Sequence, residues 1–191
     1  ACPQDFLKRR ANLPVVHDFH GKRCFPWVVS LIKLAIKASV GGGGLLNGVF
    51  LGVQRHGWDR TTRVVSAETD GANCFAAAVA NGHAPTRLEA IRSVATSLGA
   101  LQCSPATLEL AQQVPTDACT VTDQEALDAC AFLLDEHRVL VEPACGAAIA
   151  LLRAERHRHL FERHESVVVV VCGGSGVNWE IMQQWRHDFG L

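Results

Sequence analysis

Four consecutive glycines, Gly41, Gly42, Gly43 and Gly44, lie between two apolar segments, and they constrain this chain more than any other feature. Glycine loses more backbone freedom on folding than any other residue, so such a run is retained where side chains do not fit. Before it, Leu34-Ala35-Ile36-Lys37-Ala38-Ser39-Val40 reads as a strand. After it, residues 45–53 are apolar on all sides and read as a buried helix. The unit is strand, glycine turn, helix. Such a turn aims bare N–H groups at one point, and the helix N-terminus adds partial positive charge there, which makes a phosphate site. A flexible linker is the plainer alternative, but linkers of this composition seldom separate two fully apolar segments.

The chain has 191 residues, enough for one domain or a domain and a stub. With 48% hydrophobic and 19% charged residues it carries a real core rather than disorder. Net charge is −1 and no basic stripe is present, which speaks against a nucleic-acid partner. The first ten residues hold no apolar signal-peptide core. The longest apolar run, 167–172, is too short for a bilayer, so no membrane association is expected. Eight cysteines without Cys-x-x-Cys or regular spacing suit a reduced, intracellular chain and give no zinc signature.

Residues 1–27 mix charge, proline and short apolar pieces, and form a leader of unclear structure. His17 and His20 lack a third ligand nearby and read as solvent-facing. The sequence begins at Ala1 and its one methionine is Met182, so either an initiator was removed or the chain starts partway through a longer protein. From Val28 strands and helices alternate. The first helix should stop at Gly57. A strand over 63–68 follows, then an Ala-rich helix over 74–80. A helix is expected around 87–97, stopping at Gly99. Ser104-Pro105 opens another helix, and 119–121 is a brief strand. Thr122-Asp123-Gln124-Glu125 matches a capping box for a helix reaching about His137. Residues 139–141 are extended, and Pro143 starts a helix through Ala154. His157, His159 and His164 lie in a charged stretch that reads as a solvated helix end rather than a metal cluster. The β-branched run 166–172 needs cover on both faces and reads as a central parallel strand. Asn178 caps a final helix ending at Gly190.

Alternating strands and helices give an α/β fold: a three-layer parallel sheet with helices on both faces. Ligands in such sheets collect beyond the carboxyl ends of the strands. The loops at 41–44, 68–74 and 172–175 all lie there and are placed to meet at one pocket. A dinucleotide-binding oxidoreductase domain would use Glu68 to grip a ribose. However, Leu46 and Asn47 stand where Gly-x-Gly-x-x-Gly needs its third glycine. A Walker loop fails too, because no Gly-Lys-Ser/Thr follows. A smaller phosphate held by the glycine turn, with an aromatic ring lying toward Cys172, is the other reading.

The segments SVGGGGLL (39–46), AET (67–69), SVA (93–95), DQEA (123–126), VEPACGAA (141–148) and VCGGS (171–175) resemble L-serine dehydratase in order and separation. The resemblance runs from about residue 34 to the C-terminus. It implies the large domain of fold-type II enzymes, which are tryptophan synthase β-like, with pyridoxal 5′-phosphate as cofactor. It further implies conversion of L-serine to pyruvate and ammonia, and of L-threonine to 2-oxobutanoate. A cytoplasmic homodimer acting in amino-acid catabolism and gluconeogenesis is implied as well. Carried over, Gly41, Gly42, Gly43, Gly44 and Leu45 hold the 5′-phosphate, and Cys172 lies beside the pyridine nitrogen. A thiol there donates a proton poorly, which suits β-elimination. Related threonine deaminases and serine racemases usually have serine at that place. Glu68, with main-chain oxygens of Gly41, Ala72, Leu98 and Ala100, would surround a monovalent cation such as potassium. Cys74 stands where the family tends to place serine. Glu68 as a cap of the neighbouring turn is the simpler alternative.

The departure is upstream. The family binds its cofactor on a lysine within Ser-x-Lys-x-Arg-Gly and grips the substrate carboxylate with Ser-Gly-Asn-x-Gly. Neither motif occurs here. The lysines are Lys8, Lys22, Lys33 and Lys37, none in that setting. The expectation is an incomplete cofactor-binding domain over 28–191, inactive alone. A non-catalytic phosphate-binding remnant, or one that pairs with full-length subunits, is the further alternative.

Overall fold

The computed structural model describes residues 16–17, 23–24, 34–162, 164 and 166–190. The expectations for residues 1–27 as a unit, and for Lys8, His20, Lys22 and Lys33, lie outside the described residues. Strands β1 (Val16–His17) and β2 (Arg23–Cys24) pair antiparallel. Strands β3 (Leu34–Ser39), β4 (Thr62–Thr69), β5 (Thr116–Val121) and β6 (Ser166–Val169) make one parallel sheet in the order β5-β4-β3-β6.

Both faces of this sheet are covered, as the alternation requires. On one face α1 (Gly44–Arg55), α2 (Cys74–Ala80) and α3 (Pro105–Ala111) bring Leu46, Phe50, Phe75 and Leu108 onto Ala38 and Val64. On the other, α4 (Asp123–His137) and α5 (Pro143–Arg153) pack Ala126, Ala147 and Leu151 against Val65, Ala67 and Val121. Helix α6 (Trp179–Asp188) places Met182 against Cys130 and Cys145.

Helix starts follow the capping chemistry. Ser104 Oγ accepts from Thr107 N at 3.3 Å, with Pro105 in the first turn. Thr122 and Glu125 close a reciprocal box, Glu125 N donating to Thr122 Oγ1 (3.1 Å) and Thr122 N to Glu125 Oε2 (2.8 Å). Asn178 Oδ1 accepts from Ile181 N at 2.8 Å.

Where α4 and α5 cross, a Cβ on Gly146 would stand 2.1 Å from Ala126 O and 2.5 Å from Cys130 Sγ. Gly146→Ala is therefore expected to cost about 1–3 kcal/mol in urea unfolding, the usual range for overpacking. An unchanged midpoint would mean that the two helices do not approach this closely.

Two expectations need correction. Residues 87–95 are not helical, and only a 3₁₀ turn, Thr96–Leu98, follows them. Their polar groups are taken by the strand-end loops. Ser93 Oγ donates to Asp123 Oδ1 (2.5 Å) and meets Thr69 Oγ1 (2.7 Å), Val94 N donates to Asp123 Oδ2 (3.0 Å), and Arg92 N donates to Gly71 O (2.9 Å). Strand β6 is parallel but, among the described residues, not central. Among the described residues it pairs with β3 alone and marks the sheet's margin, leaving Val168 48% and Val171 42% exposed. In the charged stretch a 3₁₀ helix, Glu155–Leu160, carries His157, whose Nε2 lies 3.3 Å from Thr120 O. No metal cluster forms from His157, His159 and His164 among the described residues.

Candidate cofactor site

Beyond the carboxyl end of β3, Gly41, Gly42, Gly43, Gly44, Leu45 and Cys172 all line one cavity of about 320 Å³. Strand β3 delivers the chain to the turn, and helix α1 begins at Gly44. The turn has a fixed shape. Gly43 has φ 103°, in the left-handed region, and a Cβ there would stand 1.9 Å from Thr107 Oγ1. Gly42 O accepts from Ser104 N at 3.0 Å, which anchors the turn to the start of α3.

The backbone donors decide what this turn can hold. Val40 N donates to Ala67 O (3.1 Å), and Asn47 N to Gly43 O (2.8 Å). Between them, the amides of residues 41–46 donate to no acceptor among the described residues. Gly42, Gly44 and Leu45 are exposed, and a helix start leaves its first N–H groups without intrahelical acceptors, so this run of free donors at the cavity mouth suits an anionic partner. A Cβ on Gly42 or on Gly44 would meet nothing within 4 Å, so open space lies beside the donors. The cradle fits a phosphate.

At the far side, Cys172 Sγ lies 3.7 Å from Ser39 Oγ and 3.5 Å from Cys145 Sγ. Cys145, in the first turn of α5, is buried and held by Gly173, donating to its carbonyl (3.1 Å) and accepting from its N–H (3.3 Å). Burial pushes the Cys145 thiol up to about 11. Ser39, Ser97 and Glu142 also line the cavity. Sequence reasoning assigned none of them a role, although Ser39 and Glu142 fall within quoted motifs.

Glu68 is fully buried, and its two oxygens accept from Phe75 N (2.9 Å) and Ala76 N (2.7 Å), so it caps α2. Burial raises its carboxyl to about 8, against the pull of those two amides. The other proposed cation ligands lie in the adjoining loops. Gly41 O accepts from Cys74 Sγ at 3.6 Å, and Leu98 O accepts from Ala100 N at 2.7 Å. Ala72 N donates to Thr69 O at 2.9 Å. A Cβ on Gly41 would lie 3.0 Å from Ser97 O, so the turn packs directly on the 97–98 segment. Lys37 does not line the cavity. Its Nζ sits 3.4 Å from the centroid of the Phe161 ring.

A parallel sheet covered on both faces, with its cavity beyond the carboxyl strand ends, places the chain among α/β proteins that bind ligands at that end. Residues 33–173 match the pyridoxal-phosphate dependent enzyme family, and the chain belongs to that family. It is 42% identical over 162 residues to a human protein named serine dehydratase-like, covering 82% of this chain and 49% of that one. Over 163 residues it is 40% identical to L-serine dehydratase/L-threonine deaminase of Rattus norvegicus, covering 82% and 44%. The crystal structure of a fungal L-serine ammonia-lyase from Rhizomucor miehei superposes with a TM-score of 0.77 at 33% identity, over 84% of this chain and 51% of that one. The chain thus spans about half the length of the relatives it matches. The sheet is that of the fold-type II enzymes, and the dinucleotide alternative finds no support in these matches.

Proposed function

We propose that the protein acts as an L-serine dehydratase, converting L-serine to pyruvate and ammonia and L-threonine to 2-oxobutanoate. The observation that carries this reading is the run of unpartnered amides at 41–46, which opens on a cavity also lined by Cys172. The names of the relatives support the substrate class. Bound pyridoxal phosphate would supply the electron withdrawal that makes the substrate's Cα proton removable. The chain's own residues bind and orient. Amides of Gly41, Gly42, Gly43, Gly44 and Leu45 hold the 5′-phosphate, helped by the positive end of α1. Cys172, beside Ser39 on the cavity wall, would serve the bound cofactor's ring nitrogen as a weak proton donor. Residues 28–191 make up an incomplete cofactor domain in this reading, and residues 1–27 a leader. Without the Schiff-base lysine motif, this chain alone turns over little or no serine. The setting in this reading is a cytoplasmic homodimer acting in amino-acid catabolism.

The test adds pyridoxal phosphate to the purified chain, follows binding by absorbance, and traps any lysine adduct with borohydride for peptide mapping. Saturable binding displaced by inorganic phosphate, with no trapped lysine, is expected. Absence of binding would remove the reading. A stable adduct on Lys37, Lys33 or Lys22 would overturn the claim of inactivity.

Glu68, with the carbonyls of Gly41, Ala72, Leu98 and Ala100, serves in this reading as a potassium site. The sign of its pH dependence follows from its raised carboxyl. Between 4.5 and about 8 the folded carboxyl keeps a proton that the unfolded chain has released, so stability falls as pH rises through this window. Above pH 8 the ionised group gains most from a cation. Potassium chloride should then raise the melting temperature relative to tetramethylammonium chloride at pH 9, and Glu68→Gln should remove the difference. Equal melting in the two salts would eliminate the site.

A further inference from the structure

We propose that Cys145, Cys172 and Glu142 form a binding site for a thiophilic divalent cation of the zinc type. Nothing in their spacing announces it, since the two thiols are separated by 27 positions in the chain. The fold brings them together. Cys145 projects from the first turn of α5, Glu142 is the N-cap residue of that helix, and Cys172 ends the run that continues β6 toward the cavity. Their three ligand atoms lie within 4.8 Å of one another.

The separations suit tetrahedral coordination. Zinc–sulfur bonds of about 2.3 Å at the tetrahedral angle set two sulfurs roughly 3.8 Å apart. The observed 3.5 Å needs an adjustment of a few tenths of an ångström. The frame around the ligands is tight. Glu142 N donates to Gly173 O (3.3 Å), and Cys145 N to Glu142 O (2.9 Å). A Cβ on Gly174 would stand 2.5 Å from Leu140 O, so the loop after β6 and the connection between α4 and α5 are in backbone contact.

The third ligand is available. The Glu142 carboxylate accepts no hydrogen bond and forms no ion pair among the described residues. It lies over the backbone of Gly176, where a Cβ would come 3.2 Å from Oε2. Two soft thiols and one carboxylate select zinc over magnesium or calcium, which prefer oxygen alone. Cys172 is exposed and faces the cavity, which leaves a fourth position for water or a ligand atom. If Cys172 faces the cofactor ring, as proposed above, cation and cofactor compete for it. The cation site itself needs no cofactor.

The test uses the whole chain, reduced and freed of metal by a chelator, titrated with zinc sulfate and separately with cobalt(II) as a spectroscopic probe. One equivalent should bind, and cobalt should give sulfur-to-metal charge-transfer absorption. Cys145→Ser and Cys172→Ser should each weaken zinc binding by about 100-fold and abolish that band. Cys103→Ser, which alters a thiol packed on the opposite face, should leave both unchanged. Alkylation of the unmodified chain gives a second readout that needs no variant to fold. One equivalent of zinc should protect Cys172 from iodoacetamide, as read by peptide mass. Failure to bind zinc would overturn the proposal. So would zinc binding that survives loss of both thiols, or Cys172 labelling that zinc leaves unchanged.

Discussion

Gly43→Ala is expected to lower stability by about 2–5 kcal/mol and to weaken binding of pyridoxal phosphate at least tenfold. Two effects combine in the stability loss. Holding a non-glycine residue at φ 103° costs roughly 1–2 kcal/mol, and a new Cβ 1.9 Å from Thr107 Oγ1 adds an overpacking penalty of about 1–3 kcal/mol. Thr107 cannot easily withdraw. It is fully buried, and its hydroxyl lies 2.8 Å from Ser104 Oγ in the cap of α3. The turn must therefore shift, and the amides on either side move with it. Each hydrogen bond to a charged group contributes about 1.5–3 kcal/mol, so displacing a single donor already gives a tenfold loss or more.

Gly42→Ala supplies the comparison. Its Cβ would meet nothing within 4 Å, so the fold should keep its stability to within roughly 0.5 kcal/mol. Thermal unfolding and equilibrium dialysis of the two variants separate the effects. If Gly43→Ala bound pyridoxal phosphate as tightly as the parent chain, the orphan amides would not be the phosphate cradle.

The parts of the fold that could be read in advance are those fixed by local chemistry. A tetraglycine turn between apolar segments, the Thr122–Glu125 box and the Asn178 cap each act within a few residues, and each sits where its sequence puts it. What escaped was set by distant partners. The 87–95 segment has enough periodicity for a helix. However, Asp123, some 30 positions away, takes the Ser93 hydroxyl and the Val94 amide and holds the segment open. The valine run 166–171 reports a demand for cover, yet the described residues provide a partner on one side only. Cys145, Cys172 and Glu142 meet because an α5 helix start and a strand end converge. That meeting is a property of topology and leaves no mark in spacing. The same holds for Ser39 and Ser97 at the cavity wall.

Lys37 escaped in another way, because its strand was legible and its side chain's fate was not. Lys37→Met is expected to stabilise the chain by about 3 kcal/mol at pH 7. The residue is fully buried, and its Nζ has no hydrogen-bond partner among the described residues. The Phe161 ring beneath it would return on the order of 2 kcal/mol to a desolvated ammonium. Desolvation prevails, lowering the Lys37 amine from 10.5 to about 7. At about 1.4 kcal/mol per pH unit, a displacement of this size corresponds to a penalty on the order of 3–5 kcal/mol. Between about pH 7 and 10.5 the unfolded chain holds a proton that the folded chain has released, so this residue's penalty shrinks as pH rises. The advantage of Lys37→Met should accordingly fall by about 1.4 kcal/mol per pH unit above 7. Other groups titrate in the same range. Glu68 lowers stability up to pH 8, and the buried thiols of Cys74, Cys119 and Cys130, raised to between about 11 and 12, lower it above pH 9. Both chains carry those groups, so the effects of Glu68, Cys74 and Cys130 cancel in the difference, while Cys119, which interacts with Lys37, contributes only at the alkaline end where its thiol ionises. Urea midpoints of the two chains at pH 7, 8 and 9 give that difference directly. An advantage that stayed constant across the three pH values, or was absent at pH 7, would mean that the ammonium is solvated or paired in the folded chain.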